Sequence, residues 1–120
     1  MRNISDNFLY GQRSIRMVII NGVPKFSATD ICNILGYAKA NKTVGHFCGS
    51  SPEYIRLHTA GGPQNVRMIE IDDIRDILAR SRSKHVPHFQ EWFENTVVPA
   101  LTQKRSLLSR IRMLFSLGMN

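Results

Sequence analysis

The sequence predicts an α+β fold: a small, mainly antiparallel sheet with two hairpins, short helices packed on it, and a C-terminal helical extension. Three observations lead there. Alternating or β-branched runs flank two turn-rich strings, Asn21-Gly22 and Ala60-Gly61-Gly62-Pro63-Gln64-Asn65, so the chain reverses twice as a hairpin. Each hairpin is followed by a short segment whose apolar residues recur at three- and four-residue steps. With 120 residues, 42% hydrophobic and 21% charged, the chain suffices for one ordinary core.

The elements follow in order. Residues 1–14 are polar around an isolated Phe8-Leu9-Tyr10 cluster and form an N-terminal arm or an edge strand. Ile15 to Ile20 is a strand, Asn21-Gly22 its turn, and Val23 to Phe26 the return arm. Pro24 lacks an N–H and confines that arm to an edge or a short pairing. Ser27-Ala28-Thr29-Asp30 resembles a capping box, and Ile31, Ile34 and Leu35 give a helix of two or three turns closed by Gly36. From Lys39 to Cys48, Val44, Phe47 and Cys48 keep helical spacing, which turns Lys39, Lys42 and His46 outward.

The stretch Tyr54 to Arg82 carries the second hairpin. Ile55 and Leu57 alternate with Tyr54, Arg56 and His58, and Val66 to Ile71 returns with Arg67 inside it. Asp72 then caps a helix with Ile74, Ile77, Leu78 and Ser81 on one face. Its first turns are acidic and its last turn ends in Arg80 and Arg82, complementing the helix dipole. A basic linker, Ser83-Lys84-His85-Val86-Pro87-His88, leads to the best helix of the chain. Phe89, Trp92, Phe93, Thr96, Val97, Ala100 and Leu101 form its stripe, and Pro99 inside it predicts a kink or a break. The central domain therefore spans 15–103, and 104–120 is a basic amphipathic helix whose Leu107, Leu108, Ile111, Leu114 and Phe115 suit docking or self-association.

Charge narrows the function. Sixteen Lys+Arg against nine Asp+Glu leave a formal +7, with a pI near 10.0. That excess favours polyanionic partners. The start of the chain lacks a signal peptide's apolar stretch and no run is long enough to span a bilayer, so a cytoplasmic protein without membrane contact is expected. Cys32 and Cys48 read as reduced, buried thiols. His46 with the cysteines, and His85 with His88, lack zinc-ligand spacing, so neither a metal nor a cofactor is expected.

Several strings resemble the Bro-N domain of phage antirepressors and baculovirus repeated-ORF proteins. They are Phe26-Ser27-Ala28-Thr29-Asp30-Ile31, Leu35-Gly36-Tyr37, Thr59-Ala60-Gly61-Gly62-Pro63-Gln64, Arg80-Ser81-Arg82, Phe89-Gln90-Glu91-Trp92 and Val97-Val98-Pro99-Ala100-Leu101. The similarity covers about residues 15 to 103. Lys25 stands where the family usually has an aromatic residue, and Ile71 where it usually has an acid. The resemblance implies a non-enzymatic phage or prophage regulator in a bacterial host cell. Its partners would be DNA, a phage repressor protein, or both.

The residues suggest where such binding takes place. Arg56 and Arg67 on the second hairpin, with glycines at its tip, suit a ribbon that approaches phosphates. Lys39, Asn41 and Lys42 open a helix, where unpaired N–H groups suit an anion. Arg80, Arg82 and Lys84, with His85 and His88, form the densest central basic cluster. Phe89, Trp92 and Phe93 share one helical stripe, which points to core packing rather than base stacking. Two other readings stand beside DNA binding: capture of a repressor protein without DNA, steered by charge, and, more remotely, a metal-dependent nuclease built on Glu70 and Asp72. No catalytic motif supports an enzyme.

Overall fold

A computed structural model describes residues 4–49 and 51–102. The fold is α+β. Five antiparallel strands, β1 (Ile4–Tyr10), β2 (Arg13–Ile20), β3 (Val23–Ser27), β4 (Tyr54–Thr59) and β5 (Gly62–Ile69), form one sheet in the order β1-β2-β3-β5-β4. Between β3 and β4 lie helices α1 (Ala28–Ile34) and α2 (Ala40–Phe47), and α3 (Ile71–Arg80) follows β5. The chain falls into two compact units that meet in sequence between Pro87 and His88.

The first unit holds the sheet and these three helices. Asn21 and Gly22 both take positive φ, 53° and 82°, the geometry a two-residue hairpin turn needs to match strand twist. Both anticipated hairpins form, β2–β3 and β4–β5, and β1 adds a third by pairing with β2 along the sheet's edge. Pro24 faces Ile19 of β2, while only Phe26 and Ser27 of β3 pair with β5. The strand is thus interior, yet its proline lies outside the ladder it cannot join.

Register builds the core. Met17, Phe26 and Ile69 stand in one row across β2, β3 and β5, all nearly inaccessible. On the alternate positions Val18, Val66 and Met68 form a second cluster with Ile20, Ile55 and Leu57. Ile31, Cys32, Ile34 and Leu35 around α1, and Ile74, Ile77 and Leu78 of α3, bury the stripes their spacing anticipated.

Helix ends correct part of the sequence reading. Ser27 caps α1 by accepting from the Asp30 N–H at 3.2 Å, but the Asp30 carboxylate is taken by Arg16. Gly36, at φ 90°, ends α1 in a Schellman motif: Gly36 N–H donates to Asn33 O and Tyr37 N–H to Cys32 O. Asp72 does not cap α3. Ile71 already belongs to the helix, so the cap moves back to Glu70, which closes a reciprocal box with Asp73; the Glu70 N–H donates to Asp73 Oδ2 at 3.0 Å. Asp72 instead lies in the first turn, with its side chain 96% exposed.

The second unit is helical. Helix α4 (Val86–Trp92) runs on through a π-helical turn (Phe93–Val97) and a further helical turn to Thr102. Pro99 neither breaks nor ends it. The Val98 N–H reaches back five residues to Phe93 O, and this widened turn relieves the crowding a proline ring imposes on the turn before it. Phe89, Phe93, Val97 and Leu101 are buried, Thr96 is exposed, and the Phe89 ring stacks on Phe93 at 5.9 Å. These aromatics serve as core. The basic helix expected at 104–120, with Leu107, Leu108, Ile111, Leu114 and Phe115, lies outside the described residues.

Candidate nucleic-acid interface

Two of the anticipated basic clusters meet across one aromatic floor. Tyr37 follows the Gly36 cap, and His46 and Phe47 close α2. The Phe47 ring meets Tyr37 edge-on at 6.0 Å and His46 at 4.9 Å. Two open grooves of about 610 and 580 Å³ share these three residues. Arg80 and Arg82 border the first, and Lys39 and Lys42 the second.

The arrangement depends on two serines to which the sequence reading assigned no such role. Ser81 Oγ and the Tyr37 hydroxyl share a hydrogen bond of 2.5 Å. Ser83 Oγ donates to Leu35 O at 2.6 Å and accepts from the His85 N–H at 3.2 Å. The Ser83 N–H in turn donates to Ser81 Oγ at 3.1 Å. The start of the segment read as a basic linker is therefore fastened to the C-terminus of α1, where carbonyls lack helical partners. That attachment sets Arg80 and Arg82 beside Tyr37 and Phe47. The only signal in the sequence was the repeated serine in Arg80-Ser81-Arg82-Ser83.

Charge pairing separates structural cations from available ones. Arg16 grips Asp30 from Nε at 2.9 Å and Nη2 at 3.0 Å, while its backbone N–H donates to the same carboxylate at 2.9 Å. This hydrogen-bonded pairing raises the Arg16 pKa further. Lys25 lies between Glu53 at 2.7 Å and Glu70 at 3.4 Å, and the bond to Glu53 chiefly raises its pKa. By contrast Lys39, Lys42, Arg56, Arg80, Arg82 and Lys84 are exposed and form no ion pair among the described residues. Unpaired surface cations can exchange their counterions for phosphates without first breaking a protein contact.

The remaining expected residues fall elsewhere. Arg56 is exposed on β4, opposite Asn65, and Lys84 is exposed beyond Arg82; neither lines the shared grooves. Arg67 is not an open arm of the hairpin. It is only 8% exposed, and its Nη1 donates to Asn41 O at 3.2 Å and weakly to Asn41 Oδ1 at 3.5 Å. Its register explains this: Arg67 alternates onto the same side as Ile69, under the start of α2.

Glu70 is occupied by Lys25 and its capping box, and Asp72 projects into solvent. Among the described residues no group of three His, Cys, Asp or Glu side chains is placed to hold a metal. Cys32 and Cys48 are buried free thiols, pushed up to about 11. Burial is the main cause for both; for Cys48 the Asp73 carboxylate adds to it. No described helix is long and apolar enough to cross a membrane.

The model of the BRO family N-terminal domain, Bro-N, matches residues 14–99. The chain belongs to the BRO family. The match runs from Ser14 in β2 past the π-helical turn and so includes Tyr37, His46, Phe47 and the basic residues bordering both grooves. Neither a curated protein nor a solved structure matches the chain.

Proposed function

We propose that this Bro-N domain is a non-enzymatic transcriptional regulator of the phage antirepressor type that binds DNA. The supporting observation is the pair of grooves, one bordered by Lys39 and Lys42 and the other by Arg80 and Arg82, that share Tyr37, His46 and Phe47. The four cations track a phosphate backbone, and the floor offers ring faces and apolar surface to whatever the backbone carries. Arg56 and Lys84 are further exposed cations, and the stretch 104–120 of the sequence carries four more bases and no acid.

A second reading is favoured by the Lys39 side of the groove, where Tyr37, Ala38 and Phe47 present apolar surface between lysines. Such a patch suits an acidic, apolar segment of a repressor protein. Copurification from a bacterial lysate with and without nuclease separates the two. A complex lost on nuclease treatment, with a duplex mobility shift that fades as salt rises, supports DNA binding. A nuclease-resistant complex with a repressor, and no duplex shift at low salt, replaces that reading with the second one.

A further inference from the structure

Arg67 differs from the partly buried cations Arg16 and Lys25. Arg16 has Asp30, and Lys25 has Glu53 and Glu70. Arg67 is more than nine-tenths buried, yet no carboxylate among the described residues pairs with it. Its buried Nε–H finds no acceptor among the described residues. An unpaired buried charge is costly and calls for a counter-ion.

The surroundings increase the deficit. The guanidinium reaches the first turn of α2, the positive end of that helix dipole. Helix α2 has no acid in its first turn and no side-chain cap; its N-cap residue is Lys39, itself a cation. Beside this junction opens a groove of about 260 Å³ lined by Arg67, Asn41, Tyr54 and Asn65, with Arg16 already neutralised by Asp30. The Tyr54 hydroxyl sits 3.4 Å from Asn41 Oδ1, so hydroxyl, amides and guanidinium gather at one place.

We propose that this groove is a seat for a phosphate group, with Arg67 as its counter-charge and the start of α2, Asn41 and Tyr54 as its hydrogen-bonding rim. Buried guanidinium and helix N-terminus together form the usual chemistry of phosphate recognition. The phosphate comes either from a nucleic-acid backbone, which rests on the DNA-binding reading above, or from a free phosphomonoester, which does not.

The test uses Asn41→Asp in the full chain. The substitution keeps the shape and places a carboxylate where the seat expects an anion. Thermal unfolding is followed with inorganic phosphate against chloride at matched ionic strength. Phosphate is expected to raise the melting temperature of the parent protein. Asn41→Asp is expected to melt higher than the parent in chloride and to lose the phosphate response. Phosphate raising neither melting temperature, or both equally, overturns the seat.

Duplex binding then identifies the source. If a backbone phosphate occupies the seat, Asn41→Asp lowers the slope of log affinity against log salt by about 0.9. An unchanged slope with a lost phosphate response assigns the seat to a free phosphomonoester. Absence of any duplex binding in the parent removes the DNA-binding reading and leaves the melting experiment to decide the seat alone.

Discussion

Replacing Lys39, Lys42, Arg80 and Arg82 by alanine, singly and together, tests the groove as an electrostatic device. Each neutralised phosphate contributes about 0.9 to the slope of log affinity against log salt, so four contacts contribute about 3.6. Between about 50 and 200 mM salt, a fourfold change, those contacts alone cost on the order of a hundredfold in affinity. The fourfold variant should lose that steepness. A single change such as Arg80→Ala should lower the slope by about 0.9, so its deficit relative to the parent narrows about threefold over the same range. All four side chains are exposed and unpaired among the described residues, so each substitution should alter stability by less than about 0.5 kcal/mol. The assay is fluorescence anisotropy on a labelled duplex over a salt series. Arg75→Ala is the control, since Arg75 lies on α3, lines neither shared groove and sits 4.0 Å from Asp72. If Arg75→Ala flattens the slope as much as Arg80→Ala does, net charge alone is responsible and the groove reasoning is refuted.

Three further outcomes follow from the packing. Asp30→Ala removes the acceptor for the Arg16 guanidinium and backbone N–H, and should destabilise the fold by about 2–3 kcal/mol in urea unfolding; a loss near zero would show that solvent replaces the pair. Ser83→Ala should cost about 1–2 kcal/mol by stripping Leu35 O of its donor, and should weaken duplex binding through Arg80 and Arg82 without touching either; unaltered binding would show that the segment holds its position without Ser83. Stability should fall as pH rises from about 9 towards about 11, because the folded thiols of Cys32 and Cys48 keep protons that the unfolded chain releases. The raised Lys25 pKa acts in the same direction at still higher pH, its contribution being lost as pH climbs through the folded value. Urea unfolding across that range should show a shallower decline in Cys32→Ala and Cys48→Ala variants, and an equal decline would contradict the assignment.

Much of the fold was legible because its cues are local. Asn21-Gly22 requires positive φ at both residues, and almost any hairpin with that pair forms the same turn. Gly36 could be read as a helix end because only a left-handed residue lets Tyr37 and Gly36 return their N–H groups to α1. Periodicity found the buried faces of α1 and α3. Local rules failed where two answers satisfied them. Asp72 satisfies the local rule for a cap, yet β5 ends at Ile69 and α3 starts at Ile71, so Glu70 takes the position instead. Pro99 forbids a regular helix without saying whether the chain breaks or widens into a π turn, and here it widens.

The candidate site divides along the same line. Residue types, spacing and net charge already determined that Lys39, Lys42, Arg80 and Arg82 are surface cations on or beside helix ends, since charge and helical phase are properties of the chain itself. That these pairs border two grooves sharing one aromatic floor, that Ser81 and Ser83 fasten the Arg80–Arg82 side, and that Arg67 is buried with no counter-ion among the described residues were decided by tertiary packing alone. The physical reason is range: a cap or a turn is selected by neighbours a few residues away. Whether a charge is paired depends on which side chains, 14, 28 or 45 positions distant, the fold brings within reach of a hydrogen bond.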